Sequence, residues 1–121
     1  MNRWVLLEHK VSPYKPENIH YDFLIEGKFD CLTWKFCKLP LLNSGFVEIV
    51  KQPNHRLVWL SRIEFELSRN RGIIKRIDHG KFNDIKRILD PQNFQVILNG
   101  KLLNGLFEIS GNFCRLYQYN K

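Results

Sequence analysis

The segment His20-Tyr21-Asp22-Phe23-Leu24-Ile25-Glu26 alternates in character. In an extended chain it therefore carries His20, Asp22, Leu24 and Glu26 on one face and Tyr21, Phe23 and Ile25 on the other. An imidazole and a carboxylate two residues apart on a strand can hold a divalent metal if a neighbouring strand supplies a third ligand. Two histidines and one carboxylate leave open positions on Mn²⁺, Zn²⁺ or Fe²⁺. His9, behind Glu8, stands at the end of the first expected strand, and His55 at the start of a later one, so all these groups are candidates to meet near strand ends. Spacing alone also suits solvated or mutually paired groups on a polar sheet face.

The elements that must position these residues read as mainly β. Expected strands run over Arg3 to His9, Tyr21 to Glu26, Phe29 to Phe36, Phe46 to Val50, Arg56 to Leu60, Gly72 to Asp78, Phe94 to Leu98, Leu106 to Ile109 and Phe113 to Tyr119. Gly27, Asp78-His79-Gly80, Asn99-Gly100 and Gly111-Asn112 are the expected turns, because glycine and asparagine tolerate the backbone of tight hairpins. This spacing predicts a compact antiparallel β-barrel of about eight strands with one or two short helices. One helix is expected from Asn83 to Leu89, where Ile85, Ile88 and Leu89 form a helical stripe, Asn83 or Asp84 can cap it and Pro91 follows. Lys10 to Asn18 and Pro40 to Gly45 read as loops.

With 121 residues, 44% of them hydrophobic, the chain is expected to form a single domain over residues 1–121. A net charge of +7 favours an acidic partner such as a nucleic-acid backbone or an anionic membrane surface. No apolar run is long enough for a transmembrane helix, and Asn2, Arg3 and Trp4 lead directly into a patterned strand rather than a signal peptide, so a cytoplasmic monomer with no membrane partner is the default expectation. Cys31, Cys37 and Cys114 are odd in number and form no C-x-x-C pair, which points to ordinary reduced thiols. Trp4 and Trp34 are expected in the core, and His79 in a turn. Glu26 is expected to pair with a lysine or to orient a ligand histidine.

The motifs Glu8-His9, His20-Tyr21-Asp22-Phe23 with Glu26, Thr33-Trp34 with Lys38 and Pro40, and Asn54-His55-Arg56-Leu57-Val58-Trp59 together resemble the 3′-phosphoesterase domain of the bacterial end-joining DNA ligase D family. Gly100, Leu103, Gly105 and Phe107 match its terminal glycine-leucine-glycine-aromatic pattern. The short stand-alone relatives of that domain are more similar still. They carry V-L-L-E-H, H-W-D-F-L-L-E, H-R-L-A-Y-L, then N/D-R-G and R-x-D-x-G, echoed here by Asn70-Arg71-Gly72 and Arg76-Ile77-Asp78-His79-Gly80.

The resemblance implies a β-barrel with a manganese-dependent site that removes a 3′-terminal ribonucleoside and then a 3′-phosphate from DNA or RNA–DNA ends during repair. It implies His9, Asp22 and His55 as metal ligands, His20 as the group acting on the phosphate, and Lys38 as a phosphate contact. Zn²⁺ or another divalent transition metal fits the same donors. A separate ATP-dependent DNA ligase or a polymerase is the implied working partner. Three phosphate-holding positions of the ligase D pattern, two arginines and a tyrosine, fall here on Leu24, Val47 and Trp59. Arg56, Arg62, Arg69 and Arg71 are the cations expected to bind substrate in their stead. Lys75, Arg76, Lys81, Lys86 and Arg87 extend the positive charge along the next strand and helix. The alternative is a non-catalytic nucleic-acid-binding or ligase-accessory barrel that keeps only the metal group.

Overall fold

Two uninterrupted apolar runs, Trp4 to Leu7 and Phe23 to Ile25, set the plan of the molecule, because a strand without alternation must be covered on both faces. The computed structural model describes residues 2–11, 18–69, 71–84 and 90–119. Its strands are β1 (Arg3–Lys10), β2 (Ile19–Glu26), β3 (Cys31–Phe36), β4 (Val47–His55), β5 (Glu64–Glu66), β6 (Ile73–Asp84), β7 (Asn93–Asn99), β8 (Asn104–Ser110) and β9 (Phe113–Tyr117). They form one antiparallel sheet in the order β1-β2-β3-β4-β9-β8-β7-β6-β5, and β6 pairs back onto β1 to close the ring. The barrel expected from the turn spacing is therefore present, with β5 as an added strand on β6.

Inside the ring lies an aromatic core. Phe23 is its hub, with ring centroids 4.9 Å from Phe107, 5.6 Å from Phe36, 5.9 Å from Trp4 and 6.2 Å from Trp34. Trp4 and Trp34 are buried in it, as expected. Outside the ring, Val5, Leu7, Leu24, Cys31 and Ile74 are covered by Leu60, with Leu57, Trp59 and Leu67 packed against them. This second, smaller core is why neither apolar run alternates.

The cover is a 3₁₀ turn, Leu57–Leu60, where an extended strand over Arg56 to Leu60 was expected. All of Leu57, Val58, Trp59 and Leu60 are apolar, so the sequence has no period to follow, and turning them brings Leu57 and Leu60 down together on the outer face. β3 begins at Cys31 rather than Phe29, since Gly27 N–H donates to the Asp30 carbonyl in a tight turn and leaves Phe29 exposed. Asn83 and Asp84 belong to β6, paired with Ile97 and Val96, rather than capping a helix. The remainder of that expected helix, 85–89, lies outside the described residues, as does most of the Lys10 to Asn18 loop.

Asp78-His79-Gly80 is not a turn but the middle of β6. Gly80 is small because a Cβ there would meet the Asn99 carbonyl at 3.1 Å and the Trp4 indole nitrogen at 3.2 Å. The Asp78 carboxylate accepts N–H bonds from His79, Lys101, Leu102 and Leu103, clipping the β7–β8 connection onto β6. Gly100 belongs to the same clip, since a side chain there would strike Asp78 and Trp4. The three thiols are free, with Cys31 and Cys114 buried and Cys37 exposed just past β3. Burial pushes Cys31 up to about 11 and Cys114 up to about 12, so both are inert.

Candidate metal centre

Register brings three chemistry-bearing side chains together on the outer face, at one end of the β1–β2 pair. His9 stands directly opposite His20, and Leu7 opposite Asp22; cross-strand partners share a face, so His9, His20 and Asp22 converge. His9 Nδ1 lies 3.2 Å from His20 Nε2, and His20 Nε2 lies 3.6 Å from Asp22 Oδ1. One ligand atom from each of the three falls within 4.8 Å of the others, a spacing that could hold one metal ion. Among the described residues no other such group occurs. Asp22 is buried and the two imidazoles are half-buried, which favours a ligated or hydrogen-bonded state over a solvated one.

The proton on His9 is placed by its surroundings. Its Nε2 is 2.9 Å from the Arg71 carbonyl, which can only accept, so Nε2 carries the hydrogen and Nδ1 presents its lone pair toward His20 and Asp22. Ligand histidines are commonly oriented in this way, through the nitrogen that does not bind the metal. The chain places that carbonyl with a sharp turn after Ser68, in which Arg71 N–H donates to Ser68 O and Leu67 N–H to Gly72 O. Gly72 has φ +103° and sits so close to the Lys10 carbonyl that a Cβ would collide with it. Only glycine lets the loop seat against β1. The His20 imidazole is held below its usual pKa, first by burial and further by His9 and Lys35, against the opposing pull of Asp22. A neutral imidazole is the form a metal requires.

The other expected site residues fall elsewhere. His55 pairs with Cys31, which in turn pairs with Glu26, four residues along β2 from Asp22; at roughly 3.3 Å per residue that sets it about 13 Å along the strand direction, and two strands to the side. Its Nδ1 donates to the Pro53 carbonyl at 3.1 Å. His20, not His55, is thus the second histidine of the group that could hold a metal ion. Lys38 follows β3 at the same end of the sheet as His20 and is exposed. Lys35, not singled out by the sequence, is directly opposite Asp22 and shares its face, so it is the cation nearest in register to the group.

Of the four arginines, Arg56 precedes the 3₁₀ turn and is exposed, and Arg69 lies exposed in the loop with φ 60°. Arg71 contributes its carbonyl, while its guanidinium donates to Ser68 O and Oγ. The Arg62 guanidinium lies over the rings of Trp59 and Phe65. Leu24 is fully buried in the outer core and Val47 is buried in the inner one. Trp59 packs on the outer core and stands edge-on to Phe65. Glu26 pairs with Arg3 rather than a lysine, at the end of β2 away from His20.

No model of a known protein family matches the chain, and no curated protein matches it.

Proposed function

We propose that this chain is a metal-dependent phosphoesterase that trims the 3′ ends of nucleic acids, as the resemblance to the ligase D phosphoesterase domain and its short relatives implies. The observation that carries the reading is the convergence of His9, His20 and Asp22, drawn from the two densest motifs, with the His9 tautomer already set for ligation. A divalent ion held there, with Mn²⁺ the first candidate and Zn²⁺ the second, would polarise a phosphoryl oxygen and acidify bound water. Lys35, opposite Asp22 on the same face, is placed to offset phosphate charge, with Lys38 at the same strand end. His20 serves as a ligand in this arrangement rather than as a free acid.

Burial of Leu24 and Val47 favours a second reading. With two phosphate-holding positions consumed by cores, the barrel would bind 3′ ends, alongside a separate ligase or polymerase, without hydrolysing them. Incubation with Mn²⁺ and a primer-template ending in a 3′-phosphate or a 3′-ribonucleotide separates the two. Hydrolysis to a 3′-hydroxyl, abolished by His9→Ala, His20→Ala or Asp22→Asn and retained in His55→Ala, supports the enzyme. Absence of turnover, with the 3′ end still bound, supports the binding module.

A further inference from the structure

A second basic feature lies on the outer face, on the far side of the apolar cover from the metal group. Between β1, β6 and the Leu60-Ser61 wall opens a cavity of about 340 Å³ lined by Arg3, Arg76, His79 and Lys81. Among the described residues no carboxylate lines it. Glu26 reaches it only through Arg3, whose guanidinium it binds at 2.9 Å and 3.1 Å, which leaves Arg76 and Lys81 as the cations free to meet a ligand.

The clustering depends on an irregularity of β6. Arg76 and His79 are three residues apart, so unbroken alternation would send them to opposite faces. The register shifts between Leu6 and Leu7: Leu6 pairs with Asp78 and Leu7 with Arg76, leaving Ile77 without a partner on β1. This bulge re-aims the strand, so that Arg76 stands opposite Leu7 and His79 opposite Val5, both of them outer-core residues. Arg3, facing Lys81 across the pair, completes the row. The frame is stiff, since the Trp4 indole donates to the Lys81 carbonyl and Arg76 N–H to the Ile63 carbonyl. Just past Ser61, the Arg62 guanidinium is held 4.3 Å from the Trp59 ring centre and 4.2 Å from that of Phe65, a further cation already ordered.

Cations in a row on two paired strands, in a concave site with no acid among its described lining residues, suit a chain of phosphodiesters. An anionic bilayer fits less well: the cavity is recessed and its apolar floor, Trp4 and Val5, is fully buried. We propose that this cavity binds the phosphate backbone of a single nucleic-acid strand, through Arg76 and Lys81 with His79 as a hydrogen-bonding partner. The binding is independent of the metal group and is tested with metal removed.

The test is fluorescence anisotropy of the full chain with a labelled twelve-nucleotide oligothymidylate in EDTA over a salt series. Arg76→Ala with Lys81→Ala is expected to weaken binding at least about tenfold and to lower the slope of log affinity against log salt by about 1.4, two single-strand contacts' worth. The single exposed change Lys81→Glu gives a check that does not disturb Arg76, and should also weaken binding severalfold. Lys28→Ala with Lys101→Ala, removing equal charge elsewhere, should leave the slope unchanged, as should His20→Ala. Equal losses in the two lysine-containing pairs, or a loss confined to His20→Ala, would overturn the assignment. So would sedimentation with phosphatidylserine vesicles that the double change abolishes while oligonucleotide binding persists.

Discussion

Because the Arg71 carbonyl keeps the proton on His9 Nε2, a metal held by the proposed group would depend for its affinity on a residue that does not touch it. Gly72→Ala forces the loop away from Lys10 and is expected to weaken Mn²⁺ binding about 10- to 100-fold in calorimetric titration, the size of effect that loss of such an orienting contact has elsewhere. His55→Ala, by contrast, should leave the titration unchanged. The residue types of the site are legible in the sequence: a His-x-Asp alternation and two further histidines put His9, His20, Asp22 and His55 forward as candidates. Which histidine completes the set is not, because that depends on the pairing of His9 with His20 and of Cys31 with His55, and register is a tertiary property. The Arg71 carbonyl leaves no signal at all beyond the glycine after it.

Elements, more than residues, explain why this chain has Leu24 where the ligase D pattern has an arginine. The 3₁₀ turn lies across the outer face there, so a guanidinium at Leu24 would be buried among Val5, Leu7, Leu60 and Ile74. Leu24→Ala should cost about 3 kcal/mol in urea unfolding, through the cavity left between β2 and the cover. The neighbouring Arg3–Glu26 pair fastens β1 to β2 at the opposite end from the metal group. Its hydrogen bonds to Arg3 hold the Glu26 carboxyl at about 2, below its ordinary value of 4.5. The resulting stability is present above about pH 4.5 and is lost as pH falls through about 2. Arg3→Gln should therefore lower the melting temperature at pH 7, with the difference from the parent shrinking toward zero near pH 2. Most strands are legible from period 2 and from turn glycines. Two of the misreadings have separate physical causes: Leu57 to Leu60 is uniformly apolar and offers no period, and Gly80 is a contact glycine that reads as a turn glycine.

At the level of the whole molecule, closure of the ring rests on pairings between segments distant in sequence, above all β1 with β6, which no local pattern announces. Asp78 secures the neighbouring joint by taking the backbone N–H groups of Lys101, Leu102 and Leu103. Asp78→Ala strands those donors and should cost at least about 2 kcal/mol, with amide exchange rising first in residues 100–103. The R-x-D-x-G and G-x-x-L-x-G patterns are thus two halves of one clip, readable as motifs but not as a contact until the barrel is closed.

The unequal fates of the three thiols have a practical use. With Cys31 and Cys114 sealed inside, a maleimide reagent should find only Cys37. That residue lies one step beyond the Tyr21–Phe36 pair, next to the strand end that carries His20. A fluorophore attached there would sit beside the histidine cluster without replacing any part of it, and quenching by a paramagnetic ion would report occupancy of the native chain, one molecule at a time.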